Sequence, residues 1–280
     1  MKLRTLSVAV LGTVGLAALP ACKKDEAPAP AVSRSPDYVK PGARPEAKPE
    51  AAPAAPAPEP VTGGGTVRGV VSFKGVAPTP VAIAPSEDPA CQSMPLTEQS
   101  IRVKDGKLEN VLVRVRGLVP RSRPAQPAVI DQQGCNYVPR VQGVAAGQPI
   151  LIKNSDGTLH NARGLTGTKS IFNVAQPPNA VKPVQRPLPA DAEVVRLKCD
   201  IHPWMAAWVV VNPNPYFATS AADGSFSIEH LPAGTYTLEA WHETLGSRTA
   251  EVTVKEGETA SASFEFSAAG AKGTASGGVK

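Results

Sequence analysis

Polar and apolar positions alternate along this chain in short runs. Thr66-Val67-Arg68-Gly69-Val70-Val71-Ser72-Phe73 opens the series, and Val111-Leu112-Val113-Arg114-Val115-Arg116 puts Val111, Val113 and Val115 on one face. A period of two marks a half-buried β-strand. Further runs follow closely: Ala128 to Asp131, Tyr137 to Val144, Pro149 to Lys153, His160 to Leu165, Ser170 to Val174, Val181 to Arg186, Ala192 to Lys198 and Ala207 to Val211. Gly, Asn, Asp or Pro stands in the turns between them. Asp223-Gly224 lies between short β runs, a hairpin signal, and Tyr236, Leu238 and Ala240 share a face after Pro232-Ala233-Gly234. Ala250 to Lys255 and Ala262 to Phe266 alternate again. No long amphipathic helical pattern interrupts the series. Short strands at this spacing predict an all-β chain built as a sandwich or barrel.

The two ends read differently. Lys2 and Arg4 precede an apolar stretch, Leu6 to Leu19, too short to span a bilayer comfortably, which is the form of a secretory signal over residues 1–21. It stops at Leu19-Pro20-Ala21-Cys22, which resembles a bacterial lipobox with Cys22 as the lipidated first residue of the mature chain. Residues 22–62 then form an Ala/Pro/Glu-rich tract that cannot bury a core and reads as a disordered linker. Residues 269–280 read as a disordered Gly/Ala/Ser/Lys tail.

Composition narrows the function classes. The formal charge of +5 includes Lys2 and Arg4, and no basic cluster with interleaved aromatics points to nucleic acid. Four Cys in 280 residues are too few to build a disulfide scaffold. No catalytic Ser/His/Asp or Cys/His arrangement, paired-carboxylate site or phosphate loop stands out, so the expectation is a protein that is not an enzyme. His230 and His242 read as strand-end or turn residues.

The chemistry concentrates in Leu197-Lys198-Cys199-Asp200-Ile201-His202-Pro203-Trp204-Met205. A thiolate, an imidazole and a thioether fall within seven residues. Soft sulfur ligands select copper, and a His₂Cys set with a weak axial Met is the blue-copper arrangement. The second imidazole has a candidate upstream, His160, in the polar turn Asn154-Ser155-Asp156-Gly157-Thr158-Leu159-His160-Asn161. Zinc is the weaker alternative, because structural zinc sites usually use four Cys or His ligands and a Met adds little.

On these residues the region 124–212 resembles a cupredoxin. The spacing Cys-x-x-His-x-x-Met, with Pro directly after the His, is similar to the amicyanin type of ligand loop. The resemblance implies one type 1 copper held by His160, Cys199, His202 and Met205, with Asn161 hydrogen bonding near the Cys sulfur. It also implies an exposed ring edge on His202 where a redox partner protein docks, with Trp204 and Pro203 as contacts. The Asp223-Gly224-Ser225-Phe226 and Leu231-Pro232-Ala233-Gly234-Thr235-Tyr236 pattern resembles a carboxypeptidase regulatory-like, transthyretin-like sandwich. That family's two opening strands correspond to those at Thr66 and Val111. The expected order is therefore residues 63–123, the first strands of this sandwich; 124–212, an inserted Greek-key cupredoxin; and 213–268, the rest of the sandwich, the competing reading being two consecutive domains with the first strands belonging to an enlarged cupredoxin. Trp241 falls in the latter.

With Cys22 lipidated and Cys199 on copper, Cys91 and Cys135 remain as a pair in an oxidising compartment, and a disulfide between them is expected. Closing a loop of about 45 residues is worth roughly 4 kcal/mol before strain. Three function classes remain: a lipid-anchored electron carrier on the periplasmic or cell-surface face of a bacterial membrane, a copper storage or delivery protein, and a metal-free surface-binding module. The anchor has a direct check. The mature protein should partition into detergent and Cys22→Ser should be released in soluble form, because stable attachment depends on the acyl chains; equal membrane retention of the variant contradicts the lipoprotein reading.

Overall fold

The computed structural model describes residues 63–84, 86–117 and 126–268. The expected signal segment 1–21, Cys22, the linker to residue 62 and the tail 269–280 lie outside the described residues, as does the expected boundary at 123/124. Two β-sandwiches make up almost all of what is described.

In the first sandwich, Gly65–Lys74 is the central strand of one sheet. It pairs antiparallel with Ser225–Leu231 on one edge and, further along, with Lys107–Leu108, which hairpins to Val103–Lys104. Its other edge pairs parallel with Thr259–Ser267. The facing sheet runs in the order Phe217–Thr219, Leu112–Val115, Gly234–His242, Gly246–Val254. Val67, Val71, Phe73, Val113, Val115, Leu238, Val252, Phe264 and Phe266 fill the space between the sheets. Leu112–Val115 sits between two strands that come more than a hundred residues later in the chain, at Phe217–Thr219 and Gly234–His242. The chain thus leaves this sandwich after Val115 and re-enters it at Phe217.

The second sandwich is built from the intervening residues. One sheet has the order Lys169–Gln176, His160–Thr166, Val194–Lys198, Ala206–Asn212, Val141–Ala145; the other is Ala180–Arg186, Ile150–Asn154, Ala128–Gln133, Asn136–Val138. Its core holds Ile130, Ile150, Ile152, Val195, Leu197 and Val209 and extends to Cys199 and Met205. The single strand expected from Tyr137 to Val144 is two strands in two different sheets. Pro139, which has no N–H to contribute to a ladder, stands at the break.

A seam joins the sandwiches. Leu112–Val115 is buried on both faces. Val113 and Val115 point into their own core, while Leu112 packs with Val141 and Val210 of the second sandwich, bordered by Trp208, Phe217 and Trp241. Gly143 is required here, because the Phe217 ring and Leu112 occupy the place where a Cβ would stand. Arg114, 3% exposed, bridges Glu239 of the first sandwich and Glu193 of the second. Arg140 pairs with Glu243, which also accepts the Trp208 indole N–H. Close by, His242 Nδ1 accepts the backbone N–H of Thr244 and Leu245 at 3.1 and 3.2 Å. Burial, reinforced by the Arg140 charge, pushes this imidazole down to about 4, so it is a neutral turn residue.

Candidate metal centre

The ligand loop is a tight turn between two paired strands. Val194–Lys198 and Ala206–Asn212 are antiparallel partners whose last pair is Lys198 with Ala206, so Cys199 to Met205 form the connection. The turn closes on itself. The Met205 N–H donates to the His202 carbonyl at 3.0 Å, the Cys199 N–H to the Met205 carbonyl at 3.4 Å, and the His202 N–H to Cys199 Sγ at 3.4 Å. His160 begins the strand beside Val194–Lys198, where Lys198 pairs with Arg163, and this register brings it to the same end of the sandwich.

Three donors converge there. His160 Nδ1 and His202 Nδ1 are 2.9 Å apart, and Cys199 Sγ lies 4.0 Å from His202 Nδ1. Candidate ligand atoms of His160, Cys199 and His202 all lie within 4.8 Å of one another, and the residues are 0%, 1% and 2% exposed. Met205 is fully buried in the core at the end of the same turn.

Both outer ring nitrogens meet carboxylates. His160 Nε2 is 2.9 Å from Asp156 Oδ2, and His202 Nε2 is 3.2 Å from Asp88 Oδ2. Asp156 is itself fixed, accepting the N–H of Gly134 at 2.7 Å and of Cys135 at 2.9 Å. Asp88 caps the short helix Pro89–Gln92 through the Ala90 N–H and also accepts the Thr158 hydroxyl. That hydroxyl contact, with the Ala90 N–H and the His202 charge, holds the Asp88 carboxyl below the usual carboxylate range against the opposing effect of burial. Burial pushes the His160 imidazolium down, with Asp156 opposing it and the His202 charge adding to it.

An ionised carboxylate only accepts hydrogen bonds. An outer nitrogen facing such a carboxylate therefore carries a proton, which leaves the two Nδ1 atoms facing each other 2.9 Å apart. A metal cation bound at that point would take the lone pair of each, and carboxylate–histidine pairs are the usual supports of metal-bound imidazoles. The donor set fits a soft or borderline transition metal. Asn161 ties the pocket together: its Oδ1 accepts from Cys199 Sγ at 3.3 Å and from the Asp200 N–H at 2.7 Å, while its Nδ2 donates to Asn173 and Asp200. The Tyr137 hydroxyl donates to the Asn161 carbonyl at 2.6 Å, and burial pushes that phenol up.

The expected exposed edge on His202 is not there. The loop of the first sandwich that carries Asp88 and Cys91 folds over the ring, and Cys91 Sγ stands 3.8 Å from Nε2. Cys91 and Cys135 form a disulfide, with Cα atoms 5.8 Å apart, that holds this loop against the second sandwich. Trp204 is half-buried rather than free. Its indole N–H donates to the Cys135 carbonyl at 3.0 Å, its ring centre is 5.1 Å from that of His202, and it packs on the core. Pro203 is exposed. Sequence reasoning passed over Asp88 and Asp156. Asp156 stands four residues before His160 in the polar turn, a signal that was legible; nothing local connects Asp88 to His202.

Comparison with known proteins gives two partial likenesses. The family model of the carboxypeptidase regulatory-like domain matches residues 203–267. That span begins inside the ligand turn and takes in Ala206–Asn212 of the second sandwich before it covers the C-terminal strands of the first. No curated protein matches the chain. Among solved structures, a reduced Cu(I) form at pH 4 of an amicyanin mutant is 16% identical with a TM-score of 0.28, covering 36% of this chain and 98% of its own. Amicyanin from Paracoccus versutus is 17% identical with a TM-score of 0.28, covering 36% of this chain and 97% of its own. A purple cupredoxin from Nitrosopumilus maritimus is 22% identical with a TM-score of 0.25, covering 30% of this chain and 99% of its own.

The geometry makes Asp156 a testable support. Asp156→Asn should lower copper affinity about 10–100-fold, read by competition with a calibrated chelator, while the far-ultraviolet circular dichroism stays unchanged. Unaltered affinity would mean that the carboxylate does not hold the His160 ring.

Proposed function

We propose that this chain is an exported, membrane-tethered type 1 copper protein that carries electrons and catalyses no reaction of its own. The observation that supports it most is the pair of inward-facing Nδ1 atoms 2.9 Å apart beside the Cys199 thiol, each ring backed by a carboxylate. His160, Cys199 and His202 would hold the ion, with Met205 as the weak fourth ligand. Copper suits this set better than zinc, because thiolate and thioether are soft and there are three strong donors rather than four. Bound copper supplies one-electron cycling between Cu(I) and Cu(II). The protein's part is to keep the donors still. The turn hydrogen bonds, among them the His202 N–H to Cys199 Sγ, and the two carboxylates hold the ligands in place whichever charge the ion carries, Asn161 fixes the turn through the Asp200 N–H, and burial keeps water out. Loading requires Cys199 to lose its proton and both rings to be neutral. Because Asp88 covers His202, contact with a redox partner protein falls to exposed residues bordering the ligands: Leu159 and Ile201, each 46% exposed, and Pro203. The tether rests on the sequence of the leader, Cys22 and the linker.

Copper storage or delivery is the second reading, favoured by the buried, covered position of the site. Cu(II) added to the apoprotein should give an intense visible band from thiolate charge transfer, and the band should be absent in Cys199→Ser. Voltammetry should then be reversible at constant copper content. A Cys199→Ser protein that keeps the colour refutes the ligand assignment. Loss of copper on each reduction favours delivery over electron transfer.

A further inference from the structure

The turn from Asn154 to His160 serves both imidazoles. Asn154 closes the strand Ile150–Asn154 and is 2% exposed. Its Oδ1 accepts the Asp156 N–H at 3.0 Å. Its Nδ2 hydrogens face three carbonyls, those of Thr158 at 2.9 Å, Gln176 at 3.1 Å and Pro177 at 2.9 Å. Gln176 is the strand partner of His160. One amide therefore ties together the first half of the turn, its second half and the strand beside His160. Two side chains leave this turn for the two rings. The Asp156 carboxylate meets His160 Nε2. The Thr158 hydroxyl donates to Asp88, the carboxylate from the other sandwich that meets His202 Nε2.

We propose that Asn154 is a positioning residue that sets both imidazoles at once. Toward His160 it acts through the Asp156 N–H, which fixes the start of the residue whose carboxylate holds the ring. Toward His202 it acts through the Thr158 carbonyl, which fixes the residue whose hydroxyl holds Asp88. The place calls for an amide. It needs an acceptor and N–H donors on one short side chain, which Asn supplies. An ionised Asp keeps the acceptor but has no hydrogen for the carbonyls. A Ser can still make the two-residue turn to Asp156, but it is too short to span the three carbonyls as well. A buried polar network whose members are all paired is rigid, and rigidity here passes to both carboxylates. The consequence for copper rests on the reading above; the setting of the rings does not.

The test is the nitrogen-15 spectrum of the histidine rings, recorded on the full disulfide-bonded chain in its metal-free and Cu(I) forms. The wild type should show slowly exchanging Nε2–H signals from His160 and His202. Asn154→Ala should lose both while the far-ultraviolet circular dichroism stays unchanged, and Thr158→Val should lose that of His202. Ile152→Val, a core change on the same strand, should lower the melting temperature and keep both signals, which separates positioning from general loosening. Copper affinity, read by competition with a calibrated chelator, should fall further in Asn154→Ala than the roughly 10–100-fold that one lost support costs. If the wild type takes up no copper, the copper reading fails and the metal-free spectra decide alone. The proposal is overturned if either signal is missing from the wild type or survives in folded Asn154→Ala, if Thr158→Val keeps the His202 signal, or if Ile152→Val loses both. Should Asn154→Ala not fold, Asn154→Ser decides: it should lose the His202 signal, and persistence of that signal overturns the proposal.

Discussion

Two imidazoles buried edge against face need both of their nitrogens accounted for. A ring nitrogen that carries a proton needs an acceptor, and one that does not needs a donor or a cation. Asp156 and Asp88 settle the outer nitrogens of His160 and His202, and in doing so they turn the two Nδ1 atoms toward each other across 2.9 Å. The surroundings answer to this constraint. Asp156 is immobilised by two backbone N–H groups, Asp88 by a helix cap and a hydroxyl, and the Cys199 thiol by Asn161. Loosening either carboxylate would let a ring turn and end the convergence.

The same constraint accounts for the joining of two sandwiches. Asp156 comes from the second sandwich itself, but Asp88 comes from a loop of the first. The two bodies must hold a fixed relation for that carboxylate to stay over His202. The seam of Leu112, Val141 and Val210, the buried Arg114 between Glu193 and Glu239, and the Arg140–Glu243 pair keep them together. The Cys91–Cys135 disulfide fastens the loop at the site itself. Threading the second sandwich between Val115 and Phe217 gives two chain crossings rather than one, a further restriction on relative motion.

Much of the all-β fold was legible because strand alternation is local. Val113 and Val115 could be placed on a core face from their spacing alone. Leu112 and Arg114, on the opposite face of the same strand, could not be recognised as seam residues, since their burial depends on a sandwich that follows in the chain. The convergence of Cys199, His202 and His160 was suggested by ligand chemistry and short spacing. The cover on His202 was not, because Asp88 is 114 residues away in the chain and the contact is made by tertiary packing. Trp204 looked like a docking aromatic from its place beside His202. Its hydrogen bond to the Cys135 carbonyl comes from the Cys135 turn folding back on the ligand loop, which no local pattern records.

The central claim is that one copper ion sits among these particular atoms. X-ray absorption at the copper edge of the loaded, disulfide-bonded protein tests it most directly. The account predicts a single short sulfur scatterer from Cys199 with the multiple-scattering pattern of two imidazoles, and loss of that sulfur shell in Cys199→Ser. A spectrum that shows only nitrogen and oxygen neighbours, or one imidazole instead of two, would contradict it.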